Sequence, residues 1–383
     1  MRTTYLTFGA PTIEEEEIRE VEATLRSGWI GTGPRVARFE EAFGSYLGAP
    51  HTVATNSGSS ALHLSLLMAG VGPGDEVITT AHTFCATVNA IIHTGAKPVL
   101  VDVDRATQNI DPDQIAGVIT DRTRVILPVH FAGRPCDMDA IIGIARRHGA
   151  YVINDAAHAI EAEWKGAKIG HAGDASCFSF YVTKNITTIE GGMISTPHEK
   201  WAQTAKIYAL HGLTADAWKR YSDDGFKHYE VTVPGFKYNM TDVEAAIGLQ
   251  QLARIERWAA RRREIWDRYN EALADVPVFV PAPEQEGTVH ARHLYTVLID
   301  IDTLGVTRDR VQNELHQRRI GTGVHYTALH HHRFYQRQLG VREGQFPNTE
   351  FIAKRTLSLP LSAKLSDRDV EDVIEAVRDV VGR

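Results

Sequence analysis

The sequence predicts an α/β fold: a mostly parallel, seven-stranded sheet between helices, followed by a small α+β domain. Two observations carry this. Seven short β-branched runs alternate with helical segments between Thr52 and Ser195, and β-α alternation of this kind gives a parallel sheet with helices on both faces. Size is the other: 383 residues, 43% of them hydrophobic, are enough for one large core and one smaller core. We therefore expect a large domain over residues 1–250 and a small one over 251–383.

In chain order, Ile13 to Arg26 reads as an acidic-fronted amphipathic helix ended by Gly28. The expected strands are Thr52–Ala54, Glu76–Thr80, Pro98–Val103, Val125–Val129, Tyr151–Asn154, Ser176–Phe180 and Met193–Ser195. Helical segments such as Ala61–Met68, Ala86–His93 and Met138–Arg147 separate them. A long Arg- and Ala-rich stretch from Thr241 to Leu273 is expected to be helical and to contain the domain boundary, with a loop from Val278 to Gly287 after it. A strand around Leu294–Ile301, a helix from Arg308 to Arg318 and a last helix from Ser366 to Val381 complete the small domain. Ser366 and Asp369 suit a capping box on that last helix.

Composition excludes several function classes. A net charge of −7 offers no basic field for nonspecific nucleic-acid binding. Cys85, Cys136 and Cys177 are too few and too scattered for a disulfide framework or a zinc ribbon. Asn89, His93 and Lys97 interrupt the longest apolar stretch, and the amino-terminal residues carry no apolar signal core. A cytoplasmic protein away from membranes is the expectation.

The chemistry centres on Lys184 and Asp155, which stand on or just beyond what read as two buried strands. A carboxylate at the end of the apolar run Tyr-Val-Ile-Asn-Asp155 is expensive unless it meets a cation. The segment Thr55-Asn-Ser-Gly-Ser-Ser-Ala61 leaves a strand and opens a helix, so Gly58 permits a tight turn while the amides of Ser59 and Ser60 point out at the positive end of the helix dipole. Such a turn suits a phosphate. An amine for an aldehyde, a carboxylate for a protonated ring nitrogen and a phosphate seat are together what pyridoxal 5′-phosphate requires. Phe84 could lay its ring on the cofactor, His158 could bond the ring oxygen, and Ser179 could donate to the phosphate. Taken singly, each of these residues also has an ordinary structural reading, as a helix cap, a core aromatic or a satisfied histidine. The run His330-His-His332 invites a metal, but consecutive histidines on a helix diverge, and no metal site is expected.

Longer motifs reach further. Ser27-Gly-Trp-Ile-Gly-Thr-Gly-Pro34, Thr55 to His63, Gly74-Asp-Glu-Val-Ile78, Pro128-Val-His-Phe-Ala-Gly133, Asp155-Ala-Ala-His158, Ser179 to Lys184 and Tyr238-Asn-Met-Thr-Asp242 occur in one order along nearly the whole chain. In them the sequence resembles the fold-type I pyridoxal phosphate enzymes and, within these, the DegT/DnrJ/EryC1/StrS family of nucleotide-sugar aminotransferases. The resemblance implies that Lys184 is the lysine that binds the cofactor, Asp155 the partner of the ring nitrogen, His158 the ring-oxygen contact and Phe84 the stacking aromatic. It also implies phosphate contacts from Ser59, Ser60 and Ser179. Asn239 matches an asparagine that reaches the neighbouring subunit's cofactor phosphate, which implies a homodimer with shared active sites; the resemblance also implies L-glutamate as amino donor.

The run Lys184-Asn-Ile-Thr-Thr-Ile-Glu-Gly-Gly192 resembles the branch that aminates carbon 4, which implies dTDP-linked 4-keto-6-deoxy sugars as substrates. Gly321-Thr-Gly-Val-His-Tyr326 is similar to a segment of the 4-aminoarabinose lipid-modification aminotransferases, which nominates His325 and Tyr326, with Trp29 and Thr32, as sugar-side contacts. The family's pattern departs at Tyr181-Val-Thr183, where many members carry Pro or His. Carbon-3 amination, a UDP-4-ketopentose substrate and an aminocyclitol product stay open as alternatives.

Overall fold

The computed structural model describes residues 2–213 and 230–382. Its main sheet has seven strands in the order His51–Thr55, Gly192–Thr196, Ala175–Ser179, Tyr151–Asp155, Thr123–Ile126, Glu76–Thr80, Lys97–Val101. All run parallel except Gly192–Thr196, which is antiparallel to both neighbours. Side chains alternate across a strand, and the sequence uses this to fill two cores. Ile78, Ile126, Val152, Phe178 and Met193 face one helical layer with Phe39, Phe43 and Ile141. Their chain neighbours Val77, Val125, Ile153, Cys177 and Ile194 face the other, with Leu62, Leu66 and Ile91.

The first helix spans Glu15–Ser27 behind a capping box of Glu14 and Glu17, and Gly28 ends it at φ 75°. The stretch expected to be helical from Thr241 to Leu273 forms two helices, Asp242–Leu252 and Ile255–Ala272. No proline or glycine marks the break. Arg254 instead turns away to pair with Glu16 and Glu17 of the first helix, while Gln251 donates to Thr12 O at 2.8 Å. These contacts outweigh the small helix propensity of two residues.

The second sheet is antiparallel, with Tyr295–Ile299 between Val278–Phe279 and Thr356–Leu359. Val278 and Phe279, expected in a loop, thus begin it. A third core joins Trp266 and Tyr269 of the long helix to Val297, Leu357, Val373 and Val377. The last helix, Asp367–Val381, carries the expected Ser366–Asp369 capping box. The amino-terminal residues pack on this part of the molecule: Leu6 bridges Ile320, and Arg2 pairs with Asp369 and Asp372. Among the described residues, no helix is long and apolar enough to cross a membrane.

Candidate active site

Parallel strands open a crevice at their carboxyl ends, and here the strand ends supply Thr55, Asp155 and Ser179. The crevice is a cavity of about 480 Å³ whose walls include Gly58, Ser59, Phe84, Asp155, His158, Ser179, Lys184, His325 and Tyr326. Nine predicted residues therefore meet in one place.

Asp155 is buried, and Thr87 Oγ1 donates to its Oδ2 at 2.8 Å while the Ala157 N–H donates to Oδ1 at 3.2 Å. Burial pushes the carboxyl up from its ordinary range; these hydrogen bonds and the Lys184 charge pull it partly back. A cationic ring nitrogen beside Asp155 would remove much of the remaining penalty. Burial works the other way on Lys184 and brings its amine down to about 8, against a smaller opposing pull from Asp155. The amine is thus available in neutral form close to physiological pH, as a nucleophile and proton carrier requires.

Ser57 caps the helix Gly58–Met68, taking the Ser60 N–H on its hydroxyl at 3.1 Å. The Ser60 hydroxyl in turn donates to Asn56 Oδ1 at 2.5 Å and lies 2.7 Å from Ser57 Oγ. Ser60, expected to aim its amide at a phosphate, here directs its N–H to the Ser57 cap and its hydroxyl to Asn56, as suits a helix start whose first amides are otherwise unpaired. Gly58 and Ser59 remain at the cavity wall with Ser179. A Cβ on Gly58 would stand 2.9 Å from Ser179 Cβ and 3.3 Å from Phe178 O, so only glycine lets the helix start approach the strand end. The cradle, the carboxylate and the amine fit pyridoxal phosphate.

Phe84 is 57% exposed at the mouth, its ring 5.9 Å from that of Tyr326. His158 is held from behind: the Ala132 N–H donates to its Nδ1 at 3.2 Å. That acceptor role fixes the neutral tautomer with the proton on Nε2, which lies 3.2 Å from Tyr326 Oη. Burial, with the Lys184 charge next, keeps this imidazole well below its usual pKa. Ala132 performs its task from a left-handed backbone, φ 56°, a conformation that costs a non-glycine residue about 1 kcal/mol or more. His325 reaches Ser358 Oγ at 2.8 Å through Nδ1, and burial lowers it to about 4.

The other predicted residues lie apart. Asn239 Nδ2 donates to Thr32 Oγ1 at 2.6 Å, and Trp29 Nε1 donates to Thr32 O at 3.2 Å. Asn239 and Thr32 line a separate depression of about 270 Å³. Of the histidine run, His330 and His331 come near Glu350, with one ligand-type atom of each within 4.8 Å of the others. Glu350 Oε1 already accepts from Gly344 N–H at 2.6 Å and lies 3.0 Å from His330 Nε2. Sequence reading missed Thr87, which binds Asp155, and His293, which lines the cavity beside Lys184.

The profile of the DegT/DnrJ/EryC1/StrS aminotransferase family matches residues 11–378. The chain belongs to this family. It is 48% identical over 381 residues to the spore coat polysaccharide biosynthesis protein SpsC of Bacillus subtilis, covering 99% of this chain and 98% of that one. In structure it is similar to the putative sugar aminotransferase Spr1654 from Streptococcus pneumoniae in its PMP form, with a TM-score of 0.91 at 35% identity over 98% of this chain and 97% of the other. PseC of Helicobacter pylori, an aminotransferase of pseudoaminic acid biosynthesis, gives 0.91 at 26% identity over 99% of this chain and 100% of the other. The protein is a fold-type I, pyridoxal phosphate-dependent sugar aminotransferase.

Proposed function

We propose that the enzyme moves the amino group of L-glutamate to the C-4 keto group of a dTDP-linked 4-keto-6-deoxy sugar, and that it works as a homodimer with shared active sites. The observation that carries the reading is the convergence of the Lys184–Gly192 run and the His325–Tyr326 segment on one cavity, with Lys184, Glu190, Gly191, His325 and Tyr326 all on its wall. A nucleotide needs more room than the sugar alone. A second cavity of about 640 Å³ continues past Phe84 and Tyr326 toward Asn89, Phe334 and Tyr335, which suits a longer substrate.

Charge supports the dimer. Among the described residues, Lys184 is the only Lys or Arg on the wall of the main cavity. The donor's carboxylates and a substrate pyrophosphate would call for further cations, which a second subunit can bring. Asn239, turned away from its own cavity, is suited to reach a partner's.

Bound pyridoxal phosphate supplies an aldehyde for the amino group and a conjugated ring that accepts electrons. The chain's residues do the rest. Gly58, Ser59 and Ser179 seat the phosphate, and Asp155, oriented by Thr87, keeps the ring nitrogen protonated. Lys184 Nζ removes the proton from the α-carbon of the amino donor; in the second half of the cycle it delivers a proton to the former keto carbon of the sugar. The low pKa of its amine lets one group do both. His158, held by Ala132, presents its Nε2 proton toward Tyr326 and the cavity.

The test is a half-reaction. Protein loaded with pyridoxamine phosphate is given a dTDP-4-keto-6-deoxyhexose without any amino acid, and the product is identified by mass and NMR. A 4-amino sugar, with return of the pyridoxal phosphate absorbance, is expected. A 3-amino product, or no reaction in protein that L-glutamate readily converts, would overturn the reading.

A further inference from the structure

Behind Lys184 runs a buried polar chain that none of the roles above uses. Arg262 and Glu161, 3% and 4% exposed, form an ion pair through Nη2 and Oε1. The other oxygen of Glu161 accepts from Asn185 Nδ2 at 2.7 Å, and the same amide nitrogen donates to Ala291 O at 3.0 Å. With its nitrogen committed twice, Asn185 must turn its Oδ1 toward His293, whose Nδ1 lies 3.0 Å away. An amide oxygen only accepts, so His293 Nδ1 carries the proton and Nε2 is left as a lone pair.

This is the opposite tautomer to that of His158, whose ring centroid lies 4.5 Å from that of His293. Ala132 holds both residues: its N–H donates to the His158 ring, and its carbonyl accepts the backbone N–H of His293 at 3.0 Å. The two imidazoles share the cavity with Lys184, one presenting a proton and the other a lone pair. Burial and the Lys184 charge keep His293 neutral, so it remains an acceptor throughout the working range.

We propose that His293 Nε2 is a specificity contact that accepts a hydrogen bond from the sugar hydroxyl on the carbon adjacent to the reacting carbonyl. This rests on the keto-sugar reading above. Lys184 must reach the reacting carbon, and His293 flanks Lys184, so the neighbouring carbon's substituent is the one that comes within its reach. A hydroxyl there finds an acceptor, whereas a substrate lacking it leaves a buried lone pair unmet.

Two variants separate this role from a structural one. In His293→Gln the amide can place an acceptor where Nε2 stood; in His293→Asn the amide can keep the bond to Asn185 and provides nothing at Nε2. The pyridoxamine phosphate forms of the wild type and both variants are assayed with a dTDP-4-keto-6-deoxyhexose and its 3-deoxy counterpart, and separately in the glutamate half-reaction. Expected is a wild-type preference for the hydroxylated sugar that falls roughly tenfold in H293N, mainly through KM, and survives in H293Q. The glutamate half-reaction, in which no sugar is bound, should lose less than the sugar half-reaction does in H293N. Rescue by Asn but not by Gln, or an undiminished preference in both, overturns the assignment. If the wild type converts no nucleotide-linked keto sugar, the substrate reading fails and this assignment fails with it. Independently of activity, a two-bond proton–nitrogen spectrum of the cofactor-free wild type, assigned by comparison with H293Q, should show His293 protonated on Nδ1; protonation on Nε2 would also overturn it.

Discussion

Replacing Lys184 by methionine, which keeps the side chain's length and discards its charge, should stabilise the cofactor-free protein while abolishing turnover. Burial brings this amine from 10.5 to about 8. At about 1.4 kcal/mol per pKa unit, holding the ammonium in the folded protein costs about 3 kcal/mol. Below pH 8 the amine is protonated in both the folded and unfolded chain, and the cost is present in full. Between pH 8 and 10.5 the folded protein has lost the proton and the unfolded chain has not, so the cost shrinks; above 10.5 it is gone. Asp155 loses a favourable neighbour in the variant, an opposing effect softened by its bonds from Thr87 and Ala157. We therefore expect Lys184→Met to gain about 1–3 kcal/mol at pH 7. Urea unfolding of both cofactor-free proteins at equal protomer concentration measures it. A variant no more stable than wild type at pH 7, or a difference that stays constant up to pH 10.5, would refute the reasoning.

Acylation of Lys184 in the cofactor-free protein, followed by peptide mass, should rise with pH around a midpoint near 8 rather than 10.5, because the neutral amine is the nucleophile. Asp155→Asn should lower turnover by about a hundredfold or more with the fold intact, since a neutral amide cannot hold the ring nitrogen protonated; near-native turnover in steady-state assay would count against that role. Gly58→Ala places a Cβ 2.9 Å from Ser179 Cβ and should destabilise by about 1–3 kcal/mol, with weaker cofactor binding in a titration. Arg262→Met leaves Glu161 charged, buried and unpaired; it should cost about 3–5 kcal/mol in urea unfolding, most of it recovered when Glu161→Gln is added.

The large sheet was legible because its strands are marked locally. Pairs such as Val77–Ile78 and Ile153 with Val152 are apolar on both sides, as strands covered by helices on both faces must be. The carboxyl-terminal part was harder to read. Thr356–Leu359 follows the helix Pro347–Arg355 without a connecting turn, so no turn residue announces it, and the break at Arg254 is made by ion pairs to residues far upstream. The site divides in the same way. Lys184, Asp155 and Gly58 stand in motifs that state their chemistry within a few residues. Thr87 acts on Asp155 across 68 positions, and Arg262 on Glu161 across 101. Nothing near either residue in the sequence signals its partner, and the Ser57-to-Ser60 pattern serves both a phosphate seat and a helix cap.

The three histidines on the cavity wall share a property that bears on how such a site discriminates. His158, His293 and His325 are all kept neutral, each chiefly by burial and next by the Lys184 charge. Protonating any of them would set a second cation beside the amine, lowering its pKa further and weakening it as the base that must take the proton from the donor's α-carbon. Neutral imidazoles avoid that conflict, and what they offer a ligand is then decided by tautomer. Tautomer is set from behind, by the Ala132 N–H for His158 and by Asn185, itself anchored through Glu161 to Arg262, for His293. The buried ion pair thus has a use that its net contribution to stability, commonly small, would not account for. It fixes the direction of a hydrogen bond several side chains away, at the place where the sugar is read.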